Sequence, residues 1–131
     1  MEPHPLWEYP CFPLSDIHEI FSFELSNSNC EDTDKEIKMP LTTNGLLNGV
    51  ALWYCVDFDN NKSLEIDTGI LEQTIPNKKL EWSKFYKQAV HILDKKYDIN
   101  KTNRSDLYLS CIVNFKCKEG LFNVDFKINQ N

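Results

Sequence analysis

The chain has 131 residues, of which 41% are hydrophobic and 26% charged, and its formal net charge is -6. This length suits one domain with a sizeable core. The acidic balance and the single arginine, Arg104, exclude a general binder of phosphate backbones, so no direct nucleic-acid partner is expected.

Membrane insertion and export are not expected either. No run approaches the roughly 20 apolar residues that span a bilayer, and Met1–Trp7 lacks the apolar core of a signal peptide. We therefore expect no membrane partner and a cytoplasmic and/or nuclear location. In these reducing compartments free thiols are expected, and without a Cys-x-x-Cys pair no zinc site is predicted. The five cysteines are Cys11, Cys30, Cys55, Cys111 and Cys117.

The N-terminal part combines a proline-rich start with one alternating segment. Residues 1–13 hold four of the six prolines, which predicts an extended lead-in ahead of a domain at 14–131. Apolar and polar residues alternate over Phe21–Leu25, which predicts a half-buried strand. The acidic and polar stretch that follows, as far as Lys35, is predicted to be a loop.

The middle of the chain predicts three strands. Ile37–Leu41 contains Pro40, so this strand is expected at an edge or a bulge. The Asn44-Gly45 turn signal is expected to reverse the chain into Gly49–Phe58. That stretch is apolar on both faces, which predicts a strand covered on both sides. A polar turn then leads to a half-buried strand at Leu64–Thr68.

Residues 82–93 permit two interpretations. The residues with helical spacing are Trp82, Phe85, Tyr86, Ala89 and Leu93. The alternation around Val90 also permits a strand. The chain then ends in a clear hairpin with one apolar face and a turn at residues 118–120. About seven strands with short turns predict an all-β fold, an antiparallel β-barrel or sandwich of about seven to ten strands.

Candidate catalytic residues are few. We expect His4, His18 and His91 to be structural or surface histidines, because no nucleophile and acid accompany them in a recognisable pattern. Asp57 and Asp59 would share one face of an extended strand and are interpreted as a strand end that enters solvent. The sequence therefore predicts no catalytic, cofactor-binding or metal-binding residue.

Several stretches resemble the C-terminal β-barrel domain of protein arginine methyltransferases. Asn48–Phe58 is similar to the family's barrel strand of small residues followed by aromatic ones. Ile66–Gly69 is similar to a strand that ends in a Thr/Ser-rich loop. Tyr86–Leu93 is similar to the strand after the family's Thr-His-Trp loop, which favours a strand from about Tyr86. With the closing hairpin, the resemblance covers about residues 14–128.

The resemblance implies a parent enzyme that uses S-adenosylmethionine, with the cofactor and the arginine-binding glutamates held by a separate Rossmann-type domain. This chain would be a non-catalytic fragment without cofactor, partnered by that domain and by Arg-rich protein substrates. It would support the Rossmann-type domain, wall the substrate groove and help to pack a (pseudo)dimer. The positions of the Thr-His-Trp loop fall on Lys84, Phe85 and Tyr86, where the histidine is missing. This implies the degenerate second repeat of a tandem-repeat member, with the nine-type ahead of the seven-type.

An unrelated β-sandwich that binds a peptide or a sugar is the alternative interpretation. Trp53 distinguishes the two. A ring buried against neighbouring structure favours the supporting module, and an exposed ring in a groove favours the binding module. If the ring is fully buried, Trp53→Ala should cost roughly 3–5 kcal/mol.

Overall fold

The computed structural model describes residues 1–26, 30–59, 61, 63–100 and 107–130. These residues form eight β-strands in three antiparallel sheets, together with a 3-10 helix at Leu6–Glu8. The all-β prediction is therefore confirmed, although none of the described sheets closes into a barrel. Within the described part, no helix has the length and apolar character needed to cross a membrane. The strands are β1 (Glu2–His4), β2 (Thr33–Pro40), β3 (Gly45–Leu52), β4 (Cys55–Asp57), β5 (Glu65–Asp67), β6 (Gln88–Ile99), β7 (Leu107–Lys116) and β8 (Leu121–Gln130).

The chain divides into two compact units. The first unit comprises Met1–Leu14 and Gly45–Asp98, and the second comprises Ser15–Asn44 and Ile99–Asn131. Strand β1 lies within the predicted lead-in, where it pairs with the start of β6. The division into a lead-in at 1–13 and a domain at 14–131 stays a prediction.

The second unit is built on the sheet β2-β7-β8, with β7 in the middle. The predicted terminal hairpin is confirmed, because β7 and β8 pair from Leu107↔Gln130 to Lys116↔Leu121. Side chains two residues apart share a face of a strand, and the inward face of β7 is apolar and buried. Its members are Leu107, Leu109, Cys111 and Val113.

Strand β2 lies at an edge of this sheet, as Pro40 predicted. It begins at Thr33, so the predicted loop through Lys35 is too long, and residues 27–29 of that loop lie outside the described residues. The strand predicted at Phe21–Leu25 is wrong, because this segment has no ladder partner among the residues that the structure describes. Phe21 instead packs its ring 4.8 Å from the ring of Phe115. Alternation alone does not make a strand without a neighbour for its backbone groups.

The first unit contains the sheets β1-β6-β3 and β4-β5. Strand β6 runs over Gln88–Ile99, which confirms a strand close to the start at Tyr86 that the resemblance implied and makes the helical interpretation wrong. Phe85 contributed to the helical spacing, yet its side chain is 92% exposed and packs into no core. Ile92 is 67% exposed while its neighbours His91 and Leu93 are half-buried, which is the alternation of a strand with one covered face.

The continuous strand predicted at Gly49–Phe58 is wrong. It is two strands, and the chain leaves the ladder between Leu52 and Cys55. Tyr54 and Phe58 are exposed, at 57% and 65%, so the stretch is not covered on both faces. The Asn44-Gly45 turn does not make a hairpin, because β2 pairs with β7 and β3 belongs to the β1-β6-β3 sheet.

The next predicted hairpin is confirmed. Strand β4 pairs with β5 in the register Cys55↔Asp67, Val56↔Ile66 and Asp57↔Glu65. Part of the connecting turn, at residues 60 and 62, lies outside the described residues. The short β4–β5 hairpin therefore begins where the predicted long strand is interrupted, after Leu52. It ends just before Thr68, in the segment that carries the candidate site.

Candidate functional site

The three positions that the resemblance assigned to a degenerate Thr-His-Trp loop form a bend just before β6. Lys84, Phe85 and Tyr86 are all exposed. The backbone N–H of Phe85 donates to Oγ of Ser83 at 3.4 Å, and the carbonyl of Tyr86 accepts from the side chain of Gln88 at 2.8 Å. The loop is thus held through its backbone, and its side chains point to solvent.

A buried indole lies immediately before this loop. Trp82 is only 3% exposed, and its ring meets the ring of Trp53 edge-on, with centroids 5.5 Å apart and planes at 84°. Trp53 itself is half-buried. A Cβ on Gly69 would lie 2.1 Å from Nε1 of Trp53, so only glycine allows this close approach. The sequence analysis took Trp53 as the important tryptophan, whereas Trp82 is the more deeply buried one.

Two buried polar side chains fix the backbone around the indoles. Nε2 of Gln88 donates to the carbonyls of Thr68, at 2.7 Å, and of Tyr86. Oγ1 of Thr68 accepts from the N–H of Tyr54 at 3.2 Å and donates to its carbonyl at 2.8 Å. This satisfies both backbone groups of Tyr54 where the predicted strand is interrupted. Gln88 and Thr68 were missed, because a polar residue at the end of a strand has the same pattern whether it is buried or solvated.

We name Trp53, Thr68, Gly69, Trp82, Ser83 and Gln88 the indole–amide cluster. The N–H of Ser83 donates to the carbonyl of Gly69 at 2.8 Å, which ties the two sides together. The cluster offers indole rings, an amide and hydroxyls, none of which transfers a proton readily near neutral pH. It can position the loop at residues 84–86 but has no general acid or base of its own.

Asp57 and Asp59 organise the turn between β4 and β5. Oδ1 of Asp57 accepts from the N–H of Asp59 at 3.1 Å, and Oδ1 of Asp59 accepts from the amides of Asn61 and Ser63, each at 3.2 Å. The hydroxyl of Ser63 also donates to Asp59. Short polar side chains commonly cap turns in this way. The geometry supports the strand-end interpretation.

The three histidines lie on separate elements. His4 is on β1, with Nε2 3.8 Å from a carboxylate oxygen of Glu2. His18 is in the segment before β2, and its Nε2 is buried without a hydrogen-bond partner among the described residues. His91 is half-buried in β6.

Three possible metal ligands meet on the β4–β5 hairpin. One ligand atom each of Cys55, Glu65 and Asp67 lies within 4.8 Å of the others, and all three residues are exposed. Closed structural zinc sites use four ligands, mostly cysteine and histidine. This exposed group by itself does not define a metal site.

The prediction of five free thiols is wrong for two of them. Cys30 and Cys117 form a disulfide across 87 residues of sequence. The N–H of Cys117 donates to Oδ1 of Asp32 at 2.9 Å, and Nζ of Lys116 lies 3.4 Å from Oδ2 of Asp32. The backbone donor, followed by Lys116, lowers the pKa of Asp32. Pairing of β2 with β7 brings the cysteines together, which linear spacing cannot reveal.

Another cysteine lies in the core of the second unit. Cys111 is fully buried on β7. Loss of hydration raises the pKa of its thiol to about 11, against a smaller lowering effect of Lys35. Such a thiol stays protonated at neutral pH, so Cys111 packs as a small apolar residue and is not a nucleophile.

No protein-family model matches the chain. Individual proteins do match, and the three described next are each named protein arginine N-methyltransferase 7. The Drosophila mojavensis protein is 32% identical over 136 residues and the Gallus gallus protein 27% over 130 residues, covering 100% and 97% of this chain. The Drosophila persimilis protein is 33% identical over 102 residues, or 76% of this chain.

The chain spans less than a fifth of the length of these relatives, 18% in the Drosophila mojavensis and Gallus gallus proteins and 15% in the Drosophila persimilis protein. The relatives named above carry the seven-type name, and the ranking of the nine-type ahead of the seven-type is not confirmed. Taken with the all-β fold, these matches support a fragment of an arginine methyltransferase of the seven type.

Proposed function

We propose that this chain is a non-catalytic module of an S-adenosylmethionine-dependent protein arginine methyltransferase. It would support the Rossmann-type domain of the parent protein, form one wall of the substrate groove and contribute to (pseudo)dimer packing. The observation that carries the proposal is the similarity along the whole chain to one segment of proteins named protein arginine N-methyltransferase 7. The antiparallel all-β architecture is compatible with that family's β-barrel domain.

The indole–amide cluster gives this supporting role a physical basis. Gln88 and Ser83 hold the backbone of residues 84–86 by hydrogen bonds, and the side chain of Phe85 projects with 92% exposure. A large exposed aromatic on a fixed backbone is suited to packing against another surface, because little conformational entropy is lost when it is covered. The proposed occupant is the parent's own Rossmann-type domain.

We further propose that the segment belongs to the degenerate second repeat of a seven-type, tandem-repeat parent. The relatives' shared name supports the type, and lysine, phenylalanine and tyrosine at positions 84–86 support the degeneracy. The coding sequence on both sides of this segment tests the point. Two successive cofactor-binding modules, with this segment after the second, are expected, and a single module would contradict the repeat.

Arg-rich protein segments are the proposed substrates of the parent. The net charge of -6 would attract them over a distance, an effect that salt screens beyond about 8–10 Å. This electrostatic attraction comes from the net charge of the whole chain, and we assign it to no single site. A methylation rate that is insensitive to ionic strength would argue against it.

The decisive experiment combines one variant of the parent protein with a binding measurement on the present chain. The triple variant Lys84→Ala, Phe85→Ala and Tyr86→Ala should keep kcat within about twofold, since these side chains transfer no proton. A fall of about 100-fold or more with the fold intact would instead give the loop a direct catalytic part. Calorimetry on the present chain supplies the control, because no saturable binding of S-adenosylmethionine is expected.

The peptide- or sugar-binding alternative predicts an exposed tryptophan in a groove. Trp53 is half-buried and packs edge-on against Trp82, which favours the supporting role. Saturable binding of a peptide or a sugar that Trp53→Ala abolishes, without loss of fold, would restore the alternative.

A further inference from the structure

The disulfide of the second unit lies beside an open depression on the protein surface. Cys30 is exposed and lines this depression, whereas its partner Cys117 is half-buried and is not one of the lining residues. The depression has a volume of about 310 Å³, which is within the range of small-molecule pockets. Apart from Cys30 its lining is entirely charged and consists of Glu31, Asp32, Lys116, Lys118 and Glu119.

Only part of this charge is neutralised within the chain. Nζ of Lys116 lies 3.4 Å from Oδ2 of Asp32, so these two charges offset each other. The side chain of Lys118 makes no ion pair or hydrogen bond with any residue that the structure describes, and the same holds for Glu31 and Glu119. One ammonium group and two carboxylates therefore remain around the depression for a ligand.

A zwitterion complements this arrangement of charges. An α-amino acid group carries a carboxylate that Lys118 can bind and an ammonium group that Glu31 or Glu119 can bind. A purely anionic ligand would meet two carboxylates and a single available ammonium group, and an uncharged ligand would use none of the three charges. The lining therefore favours a small molecule with an amino acid group.

The disulfide offers a reaction to such a molecule if the molecule also carries a thiol. A thiolate that attacks Sγ of Cys30 forms a mixed disulfide, and the electron pair of the broken S–S bond passes to Sγ of Cys117. Lys116 and Lys118 flank Cys117 in the sequence, and neighbouring ammonium groups stabilise a leaving thiolate. Cys117 can then attack the mixed disulfide and restore the crosslink. Alternatively, a second small thiol attacks the mixed disulfide and departs as a symmetric disulfide, which leaves both cysteines as thiols.

We propose that Cys30 is a thiol–disulfide exchange site for a small thiol with a zwitterionic amino acid group, such as glutathione or free cysteine, which binds in the depression. Exchange opens the covalent tie between the segment before β2 and the residue that follows β7. The β2–β7 ladder begins beyond this tie, at Thr33↔Phe115, and does not include it. The site therefore controls the attachment of one segment and leaves the sheet paired. The inference does not depend on the proposed methyltransferase parent.

The first test compares three thiols on the full chain: glutathione, cysteine and 2-mercaptoethanol. Loss of the disulfide is followed by alkylation and mass spectrometry, and each rate is divided by the rate of the same thiol with an uncharged disulfide, so that intrinsic nucleophilicity cancels. At least one of the two zwitterionic thiols should react about three- to five-fold faster than 2-mercaptoethanol, as expected from one exposed charge pair. The faster of the two identifies the ligand. Equal normalised rates for all three thiols would overturn the proposal.

The variant Lys118→Gln tests the recognition of the amino acid group. Loss of this ammonium group also weakens stabilisation of the leaving thiolate, which slows all three thiols alike, so the ratio between their rates isolates recognition. This ratio should fall to about one, because a neutral side chain gives the carboxylate no charge pair. Lys127→Gln is the matched control, since Lys127 is exposed on β8 and does not line the depression. A ratio that is the same in both variants and in the original chain would contradict recognition by Lys118.

The position of the mixed disulfide provides a measurement that needs no variant. Peptide mapping of the unmodified chain after rapid alkylation should place the small thiol on Cys30. Single-cysteine variants give the reverse reaction: Cys117→Ser leaves Cys30 to take up the thiol from oxidised glutathione or cystine, several-fold faster than Cys117 does in Cys30→Ser. An adduct found mainly on Cys117, or a disulfide that none of the thiols opens in the folded chain, would overturn the proposal.

Discussion

The two units of the molecule hold their β-structure together in different ways. The second unit relies on ten- and eight-residue strands in continuous register, on the buried face of β7 and on a disulfide. The first unit contains the three-residue strands β1, β4 and β5, and its loops are fixed by the indole–amide cluster. Long ladders distribute their stability over many residues, whereas a small cluster concentrates it in a few. Single substitutions should therefore be more damaging per residue in the cluster.

The largest effect is expected from Trp82→Ala. The indole is 3% exposed, so its removal deletes buried area and leaves a cavity beside Trp53. We expect a loss of about 3–5 kcal/mol in the free energy of unfolding, measured by urea denaturation followed by far-UV circular dichroism. Phe85→Ala is the control, since this exposed side chain should change stability by about 0.5 kcal/mol or less. Equal losses of unfolding free energy in Trp82→Ala and Phe85→Ala would contradict the stabilising role of the indole–amide cluster.

Next in size is the disulfide of the second unit. Cys30→Ser with Cys117→Ser should cost about 2–4 kcal/mol, because the crosslink restricts the unfolded chain over a long loop. A reducing agent should lower the unfolding midpoint of the original chain and leave that of the double variant unaffected. Exchange protection should fall in β2 and β7 and persist in β6. An equal loss of exchange protection in both units would contradict the view that the disulfide stabilises the second unit in particular.

A smaller loss of stability is expected from Gly69→Ala, at the point where the backbone of Gly69 contacts the indole of Trp53. Gly69→Ala would place Cβ against the ring of Trp53, and overpacking of this kind costs about 1–3 kcal/mol. In the double variant with Trp53→Ala, the ring is gone and the added methyl has room, so the two losses should not add. Strict additivity in this double-mutant cycle would rule out the close approach as the cause. Because Trp53 is half-buried, its own replacement should cost less than that of Trp82.

The smallest effect concerns pH and the core of the second unit. Burial raises the pKa of Cys111 from 9.0 to about 11, so the folded state holds its proton more tightly than the unfolded state. The associated stability is fully present below pH 9 and is lost as pH rises towards 11. Cys111→Ala should show a shallower decline of the unfolding midpoint over this window. Identical slopes for the two chains would contradict the assignment.

Local patterns predicted the all-β class, the terminal hairpin, the β4–β5 hairpin and the edge position of β2. Each depends on neighbours in sequence: alternation over Leu107–Phe115, a turn at residues 118–120, a proline at position 40. The same patterns failed at Phe21–Leu25 and Gly49–Phe58, where an apolar periodicity was present but a continuous ladder partner was not. For residues 82–93, the spacing of Trp82 and Phe85 imitated a helix, and the resemblance supplied the better answer.

Of the candidate site, the sequence alone located the positions Lys84, Phe85 and Tyr86 and the absence of a histidine there. Only the tertiary structure showed that Trp82 is buried, that Gln88 links the carbonyl of Thr68 to that of Tyr86, and that Cys30 meets Cys117. These are contacts between residues far apart in the chain, and burial of a polar group depends on what folds over it. Composition and local periodicity therefore determined the class of fold, while pairing between distant strands decided which side chains form its core, its crosslink and its site.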